Sequence, residues 1–91
     1  MQKKNMLHTN LKKTVLIVED NLLLSQMQKD WLKADGYEVI TAINEFAARS
    51  LIKKRNIDLI LSDVRLPEGN GIELLEWINK NSIRIPVSYT H

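Results

Sequence analysis

The chain alternates short apolar runs with longer amphipathic segments, and this order restricts the fold more than any other feature of the sequence. Four runs rich in aliphatic residues are typical of strands and lie at 15–18, 38–41, 57–62 and from 85 onwards. The first run, VLIV, has the composition of a strand that is buried on both faces. Because strands that alternate with helices are joined by right-handed crossovers, we predict an α/β protein with an open parallel sheet.

The first helix is predicted between the first two strands. Asp20 or Asn21 is a suitable N-cap, and Gly36 is a suitable C-terminal stop. The apolar residues that recur at helical spacing, or flank those that do, are Leu23, Leu24, Met27, Trp31 and Leu32.

The second and third helices are predicted over 45–55 and 72–80. Asn44 precedes the second as its cap, and the residues expected to be buried are Phe46, Ala47, Leu51 and Ile52. A segment with one proline and two glycines, 66–71, predicts an irregular loop before the third helix. That helix is expected to direct three side chains inward, namely Leu74, Leu75 and Ile78.

Composition excludes several classes of protein. The chain has 91 residues, of which 44% are hydrophobic and 26% are charged, as in a single small globular domain. No apolar run approaches the ~20 residues of a membrane span. The absence of cysteine excludes disulfides, thiolate zinc sites and cysteine nucleophiles and favours a reducing cytoplasm. Residues 1–13 contain four lysines and no acid and are predicted to form a flexible basic tail, whereas the remainder carries a net charge of −2.

Three acidic residues directly follow the first and third strands. Glu19 and Asp20 follow the first, and Asp63 follows the third. If these strands are neighbours, the three carboxylates converge, because the carboxyl ends of parallel strands share one edge of the sheet. Taken singly, each acid could serve a helix N-terminus or a turn. Together they would repel one another unless a cation lay among them, and Mg²⁺ suits few protein ligands and several waters.

Two motifs resemble the receiver domain of two-component response regulators. They are VLIVEDN at 15–21 and DLILSDVRLP at 58–67, and the similarity continues through 71–75 and 85–87. Pro67 and Gly71 lie four and eight residues after Asp63, where the family has proline and glycine. The resemblance covers about residues 14–87. It implies a flavodoxin-like sheet of order 2-1-3-4, a partial receiver over 14–91, and a missing fifth strand and last helix.

The resemblance also implies roles for individual residues. Asp63 would be the phospho-acceptor. Asp20 would bind Mg²⁺ directly, Glu19 would bind it through water, and the backbone carbonyl of Arg65 would be a further ligand. A histidine kinase or a phosphotransfer protein would donate the phosphoryl group. The chain would then be a signalling phospho-acceptor and not an enzyme.

Further partners follow from the same resemblance. The resemblance implies self-association through the receiver, and contact with DNA only through an output domain that this sequence does not contain. The run 63–71 is most similar to receivers fused to an ATPase and a helix-turn-helix that activate transcription. No membrane partner is expected.

Two other classes of function remain open. One is a receiver-like interaction module that is never phosphorylated. The other is a Toprim-type nucleotidyl-transfer domain, whose later motif has two aspartates separated by one residue. Here Arg65 occupies the position of the second aspartate, which argues strongly against a Toprim-type domain. Dehalogenase-type phosphatases need an Asp-x-Asp pair after the first strand, which Glu19-Asp20-Asn21 does not supply.

The C-terminal residues depart from the family pattern. A Ser or Thr is expected at position 91, but His91 stands there and Thr90 is one residue early. A shift of one residue in a strand turns the side chain to the other face. We therefore expect a truncated receiver whose last four residues, 88–91, are foreign to the native protein; the alternative is a natural variant that ends there. Its fourth strand would be an open edge, which predicts marginal stability and self-association.

Overall fold

The computed structural model describes residues 12–66 and 69–90. In this part of the chain, four strands alternate with three helices. The elements, in chain order, are β1 (Thr14–Val18), α1 (Leu22–Ala34), β2 (Glu38–Ala42), α2 (Glu45–Lys54), β3 (Leu59–Ser62), α3 (Gly71–Lys80) and β4 (Val87–Tyr89).

All four strands are parallel and lie in the order β2-β1-β3-β4. The predicted sheet order is therefore confirmed. Strand β1 is central, and its last residue, Val18, lies opposite Ala42 of β2 and Ser62 of β3. The chain segments that follow β1 and β3 consequently leave the sheet at the same edge, side by side.

The helix ends follow the predicted capping residues. The side chain of Asn21 accepts a hydrogen bond from the N–H of Leu24 at 2.9 Å, and that of Asn44 accepts one from Ala47 at 2.8 Å. These bonds satisfy N–H groups that have no partner within the helix. After α1 the chain turns through Gly36, whose φ of 94° is readily adopted only by glycine.

The two faces of the sheet are covered unequally. On one face, Leu16, Val18 and Ile60 pack against residues of α2 and α3 in the larger cluster. On the other face, Val15 and Ile17 belong to a smaller cluster that Leu32 of α1 contacts. Every side chain of 15–18 is almost fully buried, as predicted for a strand covered on both faces.

Helix α1 does not direct its largest apolar side chains into the core. Met27 and Trp31, which recur at helical spacing, are 42% and 65% exposed. The buried residue of this helix is Ser25, and Leu32 is half-buried. The inward face is set by which side of the helix meets β1 and β2. A small side chain there allows the helix backbone to approach the sheet closely.

Helix α2 departs from the prediction at Phe46. Phe46, expected in the core, is 55% exposed, while its neighbour Glu45 is only 1% exposed. Ala48 and Ile52 share the inward face with Glu45, since positions three and seven residues apart align on a helix. Phe46 lies one residue off that face and points outward.

The remaining differences concern element bounds. Helix α3 starts at Gly71, capped by Asn70, and buries Leu74 and Ile78 as expected, whereas Leu75 is half-buried. Strand β4 begins at Val87, two residues later than predicted. Of the predicted basic tail, only Lys12 and Lys13 lie within the described residues, and both are exposed. His91 lies outside the described residues. No helix in the described ranges is long and apolar enough to cross a membrane.

Candidate functional site

The three acidic residues singled out in the sequence meet at the carboxyl edge of the sheet. Glu19 and Asp20 follow β1, and Asp63 follows β3. Each offers a carboxylate oxygen such that the three oxygens lie within 4.8 Å of one another. Backbone bonds fix the positions, because the N–H of Glu19 donates to Ala42 and that of Asp63 donates to Val18. The predicted convergence is therefore present in the structure.

The three acids differ in exposure. Glu19 is buried at 3% exposure, Asp63 is half-buried and Asp20 is exposed. The site thus has a closed inner side formed by Glu19 and an outer side open to solvent. A hydrated ion requires such an open side.

Glu19 is the electrostatically unfavourable member of the group. Its Oε2 accepts the N–H of Asn21 at 3.1 Å, but its Oε1 is buried and has no hydrogen-bond partner among the described residues. Burial raises the pKa of the Glu19 carboxyl, the Asn21 bond opposes this rise, and the nearby charges of Asp63 and Asp20 raise the pKa further. An unpartnered buried oxygen beside two further carboxylates is an arrangement that a cation would relieve.

Asp63 is fixed by the segment that follows it. Its Oδ1 accepts the backbone N–H of Arg65 at 3.1 Å. Arg65 forms an isolated antiparallel bridge with Asn70, and the N–H of Gly71 donates to Val64 at 2.9 Å. The Arg65 side chain is exposed.

The first turn of α3 also packs closely against this segment. A Cβ built on Gly71 would lie 2.6 Å from the carbonyl oxygen of Asp63 and 2.9 Å from the ring of Tyr89. Only glycine therefore allows this approach. The Tyr89 hydroxyl donates to the Gly71 carbonyl at 3.0 Å, and burial raises the pKa of this tyrosine.

The sequence interpretation missed Glu45, whose buried carboxylate contacts the same segment. Its Oε1 accepts the backbone N–H of Asn70 at 3.1 Å, and its Oε2 pairs with Arg49. The signal that could have identified it is the Glu45–Arg49 spacing of four residues directly after a helix cap.

The sequence of the chain matches the family model of the response regulator receiver domain over residues 15–90. The chain belongs to this family. Among curated proteins it is 42% identical, over 66 residues, to the polar-differentiation response regulator DivK of Brucella anthropi. That match covers 72% of this chain and 54% of DivK, so the chain spans about half the length of the curated relatives it matches.

Solved receiver structures have the same fold. The non-phosphorylated HemR receiver domain from Leptospira biflexa is 36% identical, with a TM-score of 0.79 over 86% of this chain and 63% of that one. The response regulator TrrA from Thermotoga maritima, in complex with Mg²⁺ and BeF, is 29% identical, with a TM-score of 0.78 over 82% and 65%. The predicted receiver fold is confirmed for the four-stranded part that the structure describes.

The donor set of this site fits a divalent cation. Three carboxylates supply only hard oxygen ligands, and the buried Oε1 of Glu19 lacks any other partner in the described part of the chain. Mg²⁺ commonly binds through one or two carboxylates and retains waters. The exposed position of Asp20 leaves room for those waters.

Proposed function

We propose that this receiver accepts a phosphoryl group on Asp63, with Mg²⁺ held by Glu19, Asp20, Asp63 and the backbone carbonyl of Arg65. The observation that carries the proposal is the convergence of three carboxylate oxygens within 4.8 Å, one of them from the buried Glu19. Clustered acids without a cation would destabilise the fold, which favours a site built for an ion. The relative TrrA, solved with Mg²⁺ and BeF, supports the same choice of metal.

The chemistry follows from the charges. Attack by a carboxylate on a phosphoryl group is opposed by repulsion between anions. When bound, Mg²⁺ would supply positive charge that stabilises the loose transition state of this transfer. A carboxylate oxygen of Asp63 forms the new P–O bond while the bond from phosphorus to the donor breaks, and the donor leaves with the electron pair. The product is an acyl phosphate on Asp63.

Backbone hydrogen bonds around Asp63 hold the acceptor in position. The Arg65 N–H orients one oxygen of the Asp63 carboxylate, and the backbone bond to Val18 fixes the residue at the strand end. No proton has to be removed from an ionised carboxylate before it attacks. The site therefore needs no general base, and positioning and charge carry the reaction.

The proposed role implies partners. A histidine kinase or a phosphotransfer protein would be the donor, and self-association through the receiver would transmit the modification. Regulation of transcription would require an output domain that binds DNA, and the protein would act in the cytoplasm as a signalling phospho-acceptor. The alternative is an interaction module that is not phosphorylated.

The experiment is labelling with acetyl phosphate. The 91-residue chain is incubated with the donor and Mg²⁺, and its intact mass is measured. We expect the addition of one phosphoryl group. No group should be added when EDTA is present from the start, or in Asp63→Asn. Asp35→Asn is the matched control, since Asp35 is exposed at the end of α1, and we expect it to be labelled normally.

Two results would contradict the proposal. Labelling that persists in Asp63→Asn would assign the phosphoryl group to another residue. A folded wild-type chain that shows neither labelling nor a rise in melting temperature with Mg²⁺ would favour the interaction module.

A further inference from the structure

Glu45 is a buried carboxylate outside the acidic site. It is the first residue of α2, directly after the cap Asn44, and only 1% of it is exposed. Burial of a carboxylate is costly unless its oxygens are paired. Here Oε2 pairs with Arg49, one turn along the helix, and Oε1 accepts the backbone N–H of Asn70 at 3.1 Å. The second of these bonds links α2 to the residue that caps α3.

The chain around Asn70 is shaped to receive this carboxylate. Gly69 has a φ of 75°, in the left-handed region that favours glycine. A Cβ built on Gly69 would overlap the Glu45 side chain. The carboxylate therefore lies directly against the backbone of Gly69, and a larger residue at this position would force Glu45 to shift.

The Arg49 guanidinium that pairs with Glu45 is itself held in place. Its central carbon lies 5.2 Å from the centroid of the Trp77 ring and 5.7 Å from that of Phe46. Aromatic faces at these distances attract a guanidinium. The ion pair with Arg49 consequently keeps the Glu45 carboxylate directed at the Asn70 amide. The exposed Phe46 ring supports this arrangement because it lies against the Arg49 guanidinium.

A short series of contacts joins Glu45 to the phospho-acceptor. The Glu45 carboxylate accepts a hydrogen bond from the N–H of Asn70, and the backbone of Asn70 forms an antiparallel β-bridge with Arg65. The Arg65 N–H in turn donates to Oδ1 of Asp63 at 3.1 Å. Displacement of Asn70 would therefore move Arg65, whose carbonyl is a proposed metal ligand and whose N–H orients the acceptor.

We propose that Glu45 is a positioning residue for the acceptor site. Through the Asn70 N–H, its carboxylate fixes the segment that carries Arg65 and thereby sets the geometry for Mg²⁺ and for Asp63. The part of this inference that concerns Mg²⁺ and phosphorylation rests on the proposed function. Among the described residues, the hydrogen bonds of the Glu45 side chain go to Arg49 and Asn70 and not to the acceptor or the proposed metal ligands.

The test compares two substitutions that share the loss of the ion pair. Glu45→Ala removes the hydrogen-bond acceptor, whereas Glu45→Gln keeps a carbonyl oxygen for the Asn70 N–H. Two quantities are measured: the Mg²⁺ affinity, by calorimetry, and the initial rate of labelling with acetyl phosphate. Both are measured at a temperature where circular dichroism shows that each variant is folded. Glu38→Gln is the control, because Glu38 is exposed at the opposite end of β2.

We expect Glu45→Ala to weaken Mg²⁺ binding about two- to tenfold, the range that corresponds to one net hydrogen bond. Glu45→Gln should stay within about twofold of the wild type, since it retains the acceptor. A merely structural role would affect both variants alike, because both lose the pair with Arg49. Equal Mg²⁺ affinity in Glu45→Ala and wild type, or equal losses in both variants, would overturn the inference.

A second measurement separates this inference from the proposed function. Hydrogen exchange of the Asn70 amide, without metal, should be faster in Glu45→Ala than in Glu45→Gln, with the Leu24 amide as an internal reference. Unchanged exchange at Asn70 would refute the anchoring by Glu45. A wild-type chain that binds no Mg²⁺ would refute the proposed function, and the exchange result would still decide whether Glu45 fixes the segment.

Discussion

Two buried glutamates, Glu19 and Glu45, have opposite surroundings in this receiver. They are 3% and 1% exposed, respectively. Both oxygens of Glu45 are bonded, one to Arg49 and the other to the Asn70 amide. Glu19 lies beside two more carboxylates and retains one buried oxygen without a partner among the described residues.

The difference separates an anchor from the proposed binding site. A buried carboxylate whose oxygens are both bonded holds two segments together, and its removal leaves their groups unpaired. A buried carboxylate with an unpartnered oxygen destabilises the fold until a cation occupies the site. Sites of this kind commonly trade stability for function. Burial alone therefore does not show what a glutamate does, whereas its partners do.

Removal of the anchor should have the largest effect on stability. Glu45→Ala leaves the Asn70 N–H and the Arg49 guanidinium without their acceptor, and we expect a loss of about 2–3 kcal/mol. Part of Arg49 reaches solvent, since its side chain is 32% exposed, and this keeps the loss below that of a fully buried pair. Urea unfolding of wild type, Glu45→Ala and Glu38→Ala would measure it. An equal change in the two variants would show that Glu45 is no anchor.

A substitution of Gly69, whose backbone faces the Glu45 anchor, should have the second-largest effect on stability. Gly69→Ala introduces a methyl group into the space of the Glu45 carboxylate at a positive φ, and we expect a loss of about 1–3 kcal/mol. The double variant Glu45→Ala with Gly69→Ala removes the overlap but keeps the backbone strain. Its loss in urea unfolding should therefore be smaller than the sum of the two single losses. Strict additivity would mean that the two residues do not contact each other.

The convergence of the three acids could be predicted from sequence, whereas the burial of Glu45 and its bond to Asn70 could not. Glu19 and Asp63 directly follow apolar runs, and the strand order of a parallel sheet is enough to bring them together. Burial of Glu45 depends on which side of α2 meets the sheet. Hydrophobicity placed Phe46 there instead. Its partner Asn70 lies 25 residues away, across a loop whose path the residue types do not specify.

Substitution of Glu19, the glutamate with an unpartnered oxygen among the described residues, should have the smallest effect on stability, and this effect should be stabilising. Glu19→Gln removes one of three clustered negative charges, and without Mg²⁺ we expect it to stabilise the fold at neutral pH by about 0.5–2 kcal/mol. Urea unfolding with EDTA measures this change. Millimolar Mg²⁺ should stabilise the wild type more than the variant, since bound ligand favours the folded state. Destabilisation by Glu19→Gln in EDTA would mean that Glu19 is an anchor like Glu45.

The pH dependence of that difference tests its electrostatic origin. The folded-state pKa of Glu19 is raised above 4.5, first by burial and then by the charges of Asp63 and Asp20, against the bond from Asn21. The folded state therefore binds the proton more tightly than the unfolded state does. The stability that this provides is complete below 4.5 and is lost as pH rises through the folded pKa. In EDTA, the advantage of Glu19→Gln over wild type should grow across that window, and a constant difference would mean that the carboxylate charge is not its cause.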